Sequence, residues 1–451
     1  MTFLAGALLI LQGPACRKFV EVSPPPGDST GAEVFSSDVS ASAAMNGVYT
    51  EIMSDNVDIA DGAVTLYAGL SSDELYNTAP NPPVDQFSLN TLTSGNAIVL
   101  NNFWGKAYAF IYQVNAIIEG LQASTGVTAA TRQTLLGQAY FMRAFLYHYL
   151  SLLFGPVPLE FSTNYQQNAV APRATLPEVD SAVVSDLLEA TQLLPSYYAE
   201  GPLLPTRWAA EALLARVSLY ERNWNQAAAY ATAVIDSSQS FLVRNLDQVF
   251  LAYSGEAIWQ LQPVVPGLNT FEGDDFIPSG STVLPPYAVR SGLLAAFEPG
   301  DQRETSWLQA DTVNGVIYYY PFKYKVQVAG KITENYTMLR LAEQYLIRAE
   351  ANANLGNIPS AEADLDSIRS RAGLGPVEAA TPSALVDSVL RERRVELFAE
   401  WGHRWFDLIR THQADTILSA EKANWIPDDT LYPIPLSQLQ ANTFLTQNPG
   451  Y

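Results

Sequence analysis

Apolar residues recur three and four positions apart over long stretches of this chain, the signature of helices that bury one face. Residues 35–53 and 97–122 carry the pattern. It continues over 129–154, where Leu135, Ala139, Met142, Leu146, Tyr149 and Leu153 form one stripe before Pro156 and Pro158 break it. Further helical runs cover 178–194, 206–221, 224–237, 338–355, 359–371 and 382–411. Between about 240 and 335 the period is lost. Gly, Pro and aromatic residues crowd this region. Its apolar runs, such as Ala257–Gln262 and Val316–Tyr320, are short enough to favour small strands or packed loops. The chain therefore reads as mainly α, with one loop-rich insert.

Two of the helical stretches repeat each other. Leu213–Ala227 aligns without gaps on Ile347–Ala361, placing Ala215 on Ala349, Asn223 on Asn357 and Ala227 on Ala361. Each segment predicts a helix, a turn at Asn and a second helix opening on Ala. Small residues at matched positions let two antiparallel helices approach closely, the logic of the tetratricopeptide hairpin. Two unrelated Ala-rich hairpins are the competing reading.

Charge narrows the function. Among 451 residues, 46 Asp and Glu face 25 Lys and Arg, a net charge of −21 that repels phosphate backbones and argues against nucleic-acid binding. One cysteine excludes an internal disulfide framework, a Cys-based zinc site and an iron–sulfur cluster. The three histidines, His148, His403 and His412, lack partners at ligand spacing, so no metal and no cofactor is expected. The lone Cys16 follows Ala15 at the end of a short apolar run, Thr2–Leu11. That run is too short to span a bilayer but suits a secretory signal. Residues 1–15 then read as a lipoprotein signal, with Cys16 lipidated and residues 16–451 forming the mature domain. An ordinary signal with an incidental cysteine is the alternative. A Pro-rich arm to Gly27 would space the domain from its anchor.

Several segments together resemble the SusD/RagB family, outer-membrane glycan-binding lipoproteins. They are Lys18–Pro25, Gly137–Leu150 running into Phe154–Leu159, Leu339–Ala351, Glu392–Arg410, Leu431–Pro435 and Gln447–Tyr451, in the family's order. The resemblance implies a SusD-like fold with tetratricopeptide-like hairpins. It also implies a place at the cell surface as the lid of a TonB-dependent transporter, which receives a captured oligosaccharide or other nutrient.

Candidate chemistry is sparse. Arg391, Arg393, Arg394, Arg404 and Arg410 stand beside Glu392, Glu396 and Glu400 in the 382–411 helix, where pairing three and four apart is the expected role. Asp301-Gln-Arg303 reads as a turn pairing its own charges. No nucleophile elbow, P-loop or dinucleotide fingerprint occurs in a usable context, so no catalytic residue is expected. Trp104, Tyr108 and Tyr112 share a helical face and read as core. Aromatics outside helical periodicity are different: flat rings stack on the C–H faces of sugars while polar groups meet hydroxyls. Phe271, Tyr287 and Trp307 from the insert are therefore candidate ligand contacts, joined by Asp73, Tyr76 and Asn77 from a polar stretch before Pro80–Pro83. A tetratricopeptide scaffold for protein partners, or a glycoside hydrolase, are the competing functions.

The anchor is directly testable. Mass spectrometry of the membrane fraction should find Cys16 acylated at the mature N-terminus. A Cys16→Ser variant equally retained in membranes lacking the transporter would contradict it.

Overall fold

In the computed structural model, which describes residues 31–54, 57–379 and 381–451, the longest apolar stripe folds as the helix Ala129–Phe154. The Thr128 hydroxyl caps it by accepting from Thr131 N, and Gly155 ends it at φ 70°, in the left-handed region where a Cβ is disfavoured. Cys16 and the run before it lie outside the described residues. Among those described, no helix is long and apolar enough to cross a membrane.

Helix Leu176–Leu193 packs along Ala129–Phe154, and Arg207–Tyr220 packs on it in turn. Trp224–Ser237 follows, then Leu341–Asn354, Ile358–Arg371 and Pro382–Glu396, each against a preceding rung. Helix Leu341–Asn354 lies directly on Trp224–Ser237, so the insert leaves the ladder between two adjoining rungs and returns to it. Small residues make that seam: Ala215, Ala227, Ala231 and Ala351 are fully buried with Ile347. Ala349 and Ala361, the repeat partners of Ala215 and Ala227, are equally buried beside Leu346 and Leu365. Asn223 and Asn357 stand at the start of the second helix in each hairpin, and Asn223 Oδ1 accepts from Gln226 N. The chain is mainly α, with tetratricopeptide-like hairpins and a few short strands.

Three helical readings change in detail. The 97–122 run opens as a π-helical turn, Val99–Trp104, before the α-helix Gly105–Ala123. Tyr112 on that helix is 48% exposed, while Trp104 is buried. The 338–355 run begins as a strand, Tyr336–Arg340, paired antiparallel with Ala257–Leu261. The 382–411 run breaks into Pro382–Glu396 and His403–Arg410. Ala399, Trp401 and Gly402 all take positive φ in the break. Trp401 is held there, its N donating to Thr65 Oγ1 at 2.9 Å and its Nε1 to Thr337 O at 3.0 Å. A Cβ on Gly402 would come within 2.8 Å of Ala68, so glycine is required both by φ and by space.

The charges of this region are also buried rather than arrayed along a solvated face. Glu396, fully buried, accepts from Arg340 Nη1 at 2.6 Å, Arg303 Nη1 at 3.0 Å and Arg371 Nη2. These arginines come from other elements, so the pairing is tertiary and not helical three-and-four spacing. Asp301 and Arg303 pair with each other as the sequence suggested.

Enlarging the close-approach alanines tests the ladder. Ala215→Leu and Ala349→Leu should each lose about 1–3 kcal/mol by urea denaturation, while Ala229→Leu, on an exposed position, should not. Parent-like stability in both buried variants would contradict the seam.

Candidate functional site

Two candidate regions distant in sequence meet as a short ribbon. Leu75–Asn77 pairs antiparallel with Tyr287–Val289, setting Leu75 against Val289, Tyr76 against Ala288 and Asn77 against Tyr287. Leu75 and Val289 are buried and fix the ribbon to the core. Backbone bonds extend it at both ends: Arg290 N donates to Glu74 O at 2.8 Å and Thr78 N to Pro286 O at 3.1 Å. Arg290 Nε also donates to Leu75 O at 3.0 Å. Because side chains alternate, Tyr76 leaves one face while Asn77 and Tyr287 leave the other.

Tyr76 lines a cleft of about 560 Å³. Its other walls are Val289, Arg290, Ser291 and Leu294, then Ile317 and Tyr319, then Glu421. Ile317 and Tyr319 come from the second strand of a hairpin, Leu308–Val313 with Val316–Pro321. Asn314 and Gly315 close it with φ 52° and 81°, as a type I′ turn demands. Burial raises the Tyr76 phenol above its ordinary pKa, with Tyr318 beside it adding and Arg290 opposing. The cleft thus offers two half-buried tyrosine rings, aliphatic surface, a pinned guanidinium, a hydroxyl and one exposed carboxylate. That mixture suits a ligand with apolar C–H faces and peripheral hydroxyls.

Near Tyr287 lies a cluster of acids linked to it through Asp275. Asp58, Asp61 and Glu272 are buried there, with Asp275 half-buried. Both Asp61 carboxylate oxygens, Asp58 Oδ2 and Glu272 Oε2 lack a hydrogen-bond partner. Burial without a countercharge makes ionisation costly, and it pushes the pKa of Asp58 and Glu272 up to about 8 and Asp275 to about 7. Asp61 is raised well above the usual carboxylate value, by burial first and then by Glu272 and Asp58. Among the described residues, no three His, Cys, Asp or Glu side chains are arranged to hold a metal ion.

The expected site residues divide between these settings. Tyr76 lines the cleft. Tyr287 is half-buried on the opposite face, edge-on to Phe276 at 6.3 Å, with its phenol raised by burial and by Asp275. Asn77 donates to Ala79 O at 3.1 Å and to Asp85, which holds the following turn. Phe271 does not stand in a loop but opens the helix Phe271–Phe276, buried against Gly62, and its expected stacking role is corrected. Trp307 is fully buried, so a stacking role for it is corrected. Its Nε1 donates to Leu246 O, and Lys323 Nζ sits 4.7 Å from its ring and 4.2 Å from that of Phe398. Asp73 is also scaffold: Arg404 Nε and Nη2 donate to it at 2.7 and 2.8 Å, and Arg394 Nη2 at 2.8 Å. Burial alone would raise its pKa; the hydrogen bonds and charges of Arg404, with Arg394, hold it below the usual value instead. Sequence reasoning missed Arg290, Ile317, Tyr319 and Glu421. The Asn314-Gly315 turn between apolar runs was the available signal for two of them.

Comparisons with known proteins agree with this architecture. Residues 302–451 match the model of the SusD family, and residues 37–219 match one described as starch-binding, associating with outer membrane. A SusD-like protein of Formosa agariphila is 26% identical over 433 residues, covering 82% of this chain and 84% of the relative. A SusD superfamily protein from Bacteroides vulgatus superposes with a TM-score of 0.80 at 20% identity, covering 92% of this chain and 100% of the other. A laminarin binding SusD-like protein gives 0.77 at 22% identity, with the same coverages.

The acidic pocket predicts a pH dependence. Carboxyls raised in the folded state stabilise it fully below their unfolded pKa near 4, and this is lost as pH rises through about 8. The double variant Asp58→Asn, Glu272→Gln should therefore gain on the parent between pH 6 and 8 (assay conditions) by up to about 1.4 kcal/mol per pH unit per group, and no further above that. Melting curves at both ends check this. A parent–variant difference independent of pH would contradict it.

Proposed function

Because the chain belongs to the SusD/RagB family, we propose that it captures a carbohydrate in the Tyr76 cleft and releases it unaltered to a partner. The partner is a TonB-dependent outer-membrane transporter, and the protein is held at the cell surface by lipid on Cys16. The observation that carries this reading is the pair of half-buried rings, Tyr76 and Tyr319, facing one cleft with Arg290 and Glu421. Rings supply stacking surface. The guanidinium and carboxylate supply the donors and acceptors that orient hydroxyls. The family description of starch binding at the outer membrane and the laminarin-binding neighbour support the ligand class.

Hydrolysis fits the cleft poorly. Glycoside hydrolases need two carboxyl groups at a set separation, one of them kept protonated, and Glu421 is the one carboxylate in the cleft wall. The raised acids Asp58, Glu272 and Asp275 are not among the residues that line the cleft. Binding without turnover is what the wall composition supports.

Affinity electrophoresis in gels containing laminarin or starch tests the proposal. Tyr76→Ala and Tyr319→Ala should each weaken retardation on the order of tenfold, taking the scale of ring stacking, with unchanged melting temperature. Unaltered retardation in both folded variants, or release of reducing ends by the parent, would overturn it.

A further inference from the structure

A second pocket, of about 200 Å³, lies between the segments 196–208 and 238–258 and shares no wall residue with the first. Tyr197 and Tyr253 stand on it, 55% and 54% exposed, and the half-buried Trp208 forms part of its wall. Ser238, Gln239 and Ser254 add hydroxyl and amide groups, and Ser238 Oγ has no hydrogen-bond partner. Among the described residues, no charged side chain lines the pocket, in a chain whose net charge is −21.

The exposed Tyr253 ring is held in place by built structure. Its backbone takes φ 58°, a left-handed conformation that bulky side chains avoid and that persists only where surroundings impose it. Here the fully buried Gln260 imposes it: Oε1 accepts from Tyr253 N at 2.9 Å, while Nε2 donates to Leu251 O and Thr337 Oγ1, both at 3.1 Å. Gly201, at φ 87°, lies under the ring, where a Cβ would come within 3.1 Å of Tyr253 Cδ1. A buried amide, a backbone outlier and a glycine thus hold one exposed aromatic ring at the pocket. Packing gains nothing from this arrangement, since the ring remains half in solvent.

We propose that this pocket is a second saccharide subsite, taking one uncharged sugar ring against Tyr197 and Tyr253. Arg207, beside the wall, stacks on the Trp208 ring at 4.7 Å and is paired with Glu211, so the wall itself favours an uncharged ligand. Aromatic faces with hydroxyl and amide partners match a ring that is apolar on its faces and polar at its edge. The volume is below the roughly 300–1,000 Å³ that encloses a drug-sized ligand, so it suits a single ring of a longer chain. The inference stands on this pocket's own geometry and does not require the Tyr76 cleft to bind.

Hydrogen exchange of the full chain, with laminarihexaose, cellohexaose, mannohexaose or xylohexaose at millimolar concentration, tests it. At least one should slow exchange over 196–202 and 251–256. The double variant Tyr197→Ala, Tyr253→Gly should shift the midpoint of that protection by on the order of tenfold, leaving protection over 74–78 and 287–290 unchanged. Glycine suits the positive φ of residue 253, so the variant keeps the fold. Protection confined to 74–78 and 287–290 overturns the second subsite and leaves the cleft standing. Protection confined to the second pocket does the reverse. No protection by any neutral hexasaccharide, or protection only by an oligogalacturonate control, overturns the proposal.

Discussion

Glu396 has no exposed surface, yet arginines from three separate elements converge on its carboxylate. Arg340 ends the strand that enters the second hairpin, Arg371 ends that hairpin, and Arg303 belongs to a short helix of the insert. Arg340 continues to Glu400 at 2.7 Å and Glu256 at 3.0 Å, and Arg371 to Glu256 at 2.6 Å. The hub therefore clamps ladder, insert and C-terminal helices at one buried point. Burying charge costs desolvation energy that pairing repays only when every partner is present, and removing one partner from such a site typically costs about 3–5 kcal/mol. An apolar core could adjust to a shifted insert. This network cannot, because each misplaced arginine would strand a charge. The position of the insert, and with it the ribbon and hairpin that wall the cleft, follows from that constraint.

The ladder was legible because its code is local. Periodicity placed Ala129–Phe154 and Trp224–Ser237 at their observed limits, and the Asn223/Asn357 match located both turns. Where the code is tertiary, the sequence misled. Trp307 stands among Gly, Pro and polar residues, as an exposed loop ring would, yet three distant residues, Leu246, Lys323 and Phe250, enclose it. Asp73 sits in a polar run, and nothing local reveals that Arg394 and Arg404 lie more than three hundred residues away in its reach. The helix break after Leu397 is likewise invisible to periodicity, since Trp401 and Trp405 continue the apolar spacing across it. Gly402 was the one local mark.

The site shows the same division. Grouping residues 73–77 with Tyr287 anticipated a real juxtaposition, the Leu75–Asn77 and Tyr287–Val289 ribbon. Alternation along a strand then separated what proximity had joined, placing Tyr76 on the cleft while Asn77 turns to Asp85 and Tyr287 lies near Asp275. Which face a ribbon residue serves depends on register, and register between segments two hundred residues apart is not written in either one.

The acidic pocket behind the ribbon bears on how firmly the cleft wall is held. Leu75 and Val289 anchor the ribbon in the core, and Asp275, with Glu272 near it, acts on Tyr287 in the same ribbon. While those acids are protonated, the pocket is neutral and the ribbon rests on a compatible surface. Ionising them would place unpaired charges beside Tyr287 in the ribbon, whose partner strand carries Tyr76 of the cleft wall. Rigidity on the ladder side is obtained by concentrating positive charge there, and the ribbon side is left to depend on protons.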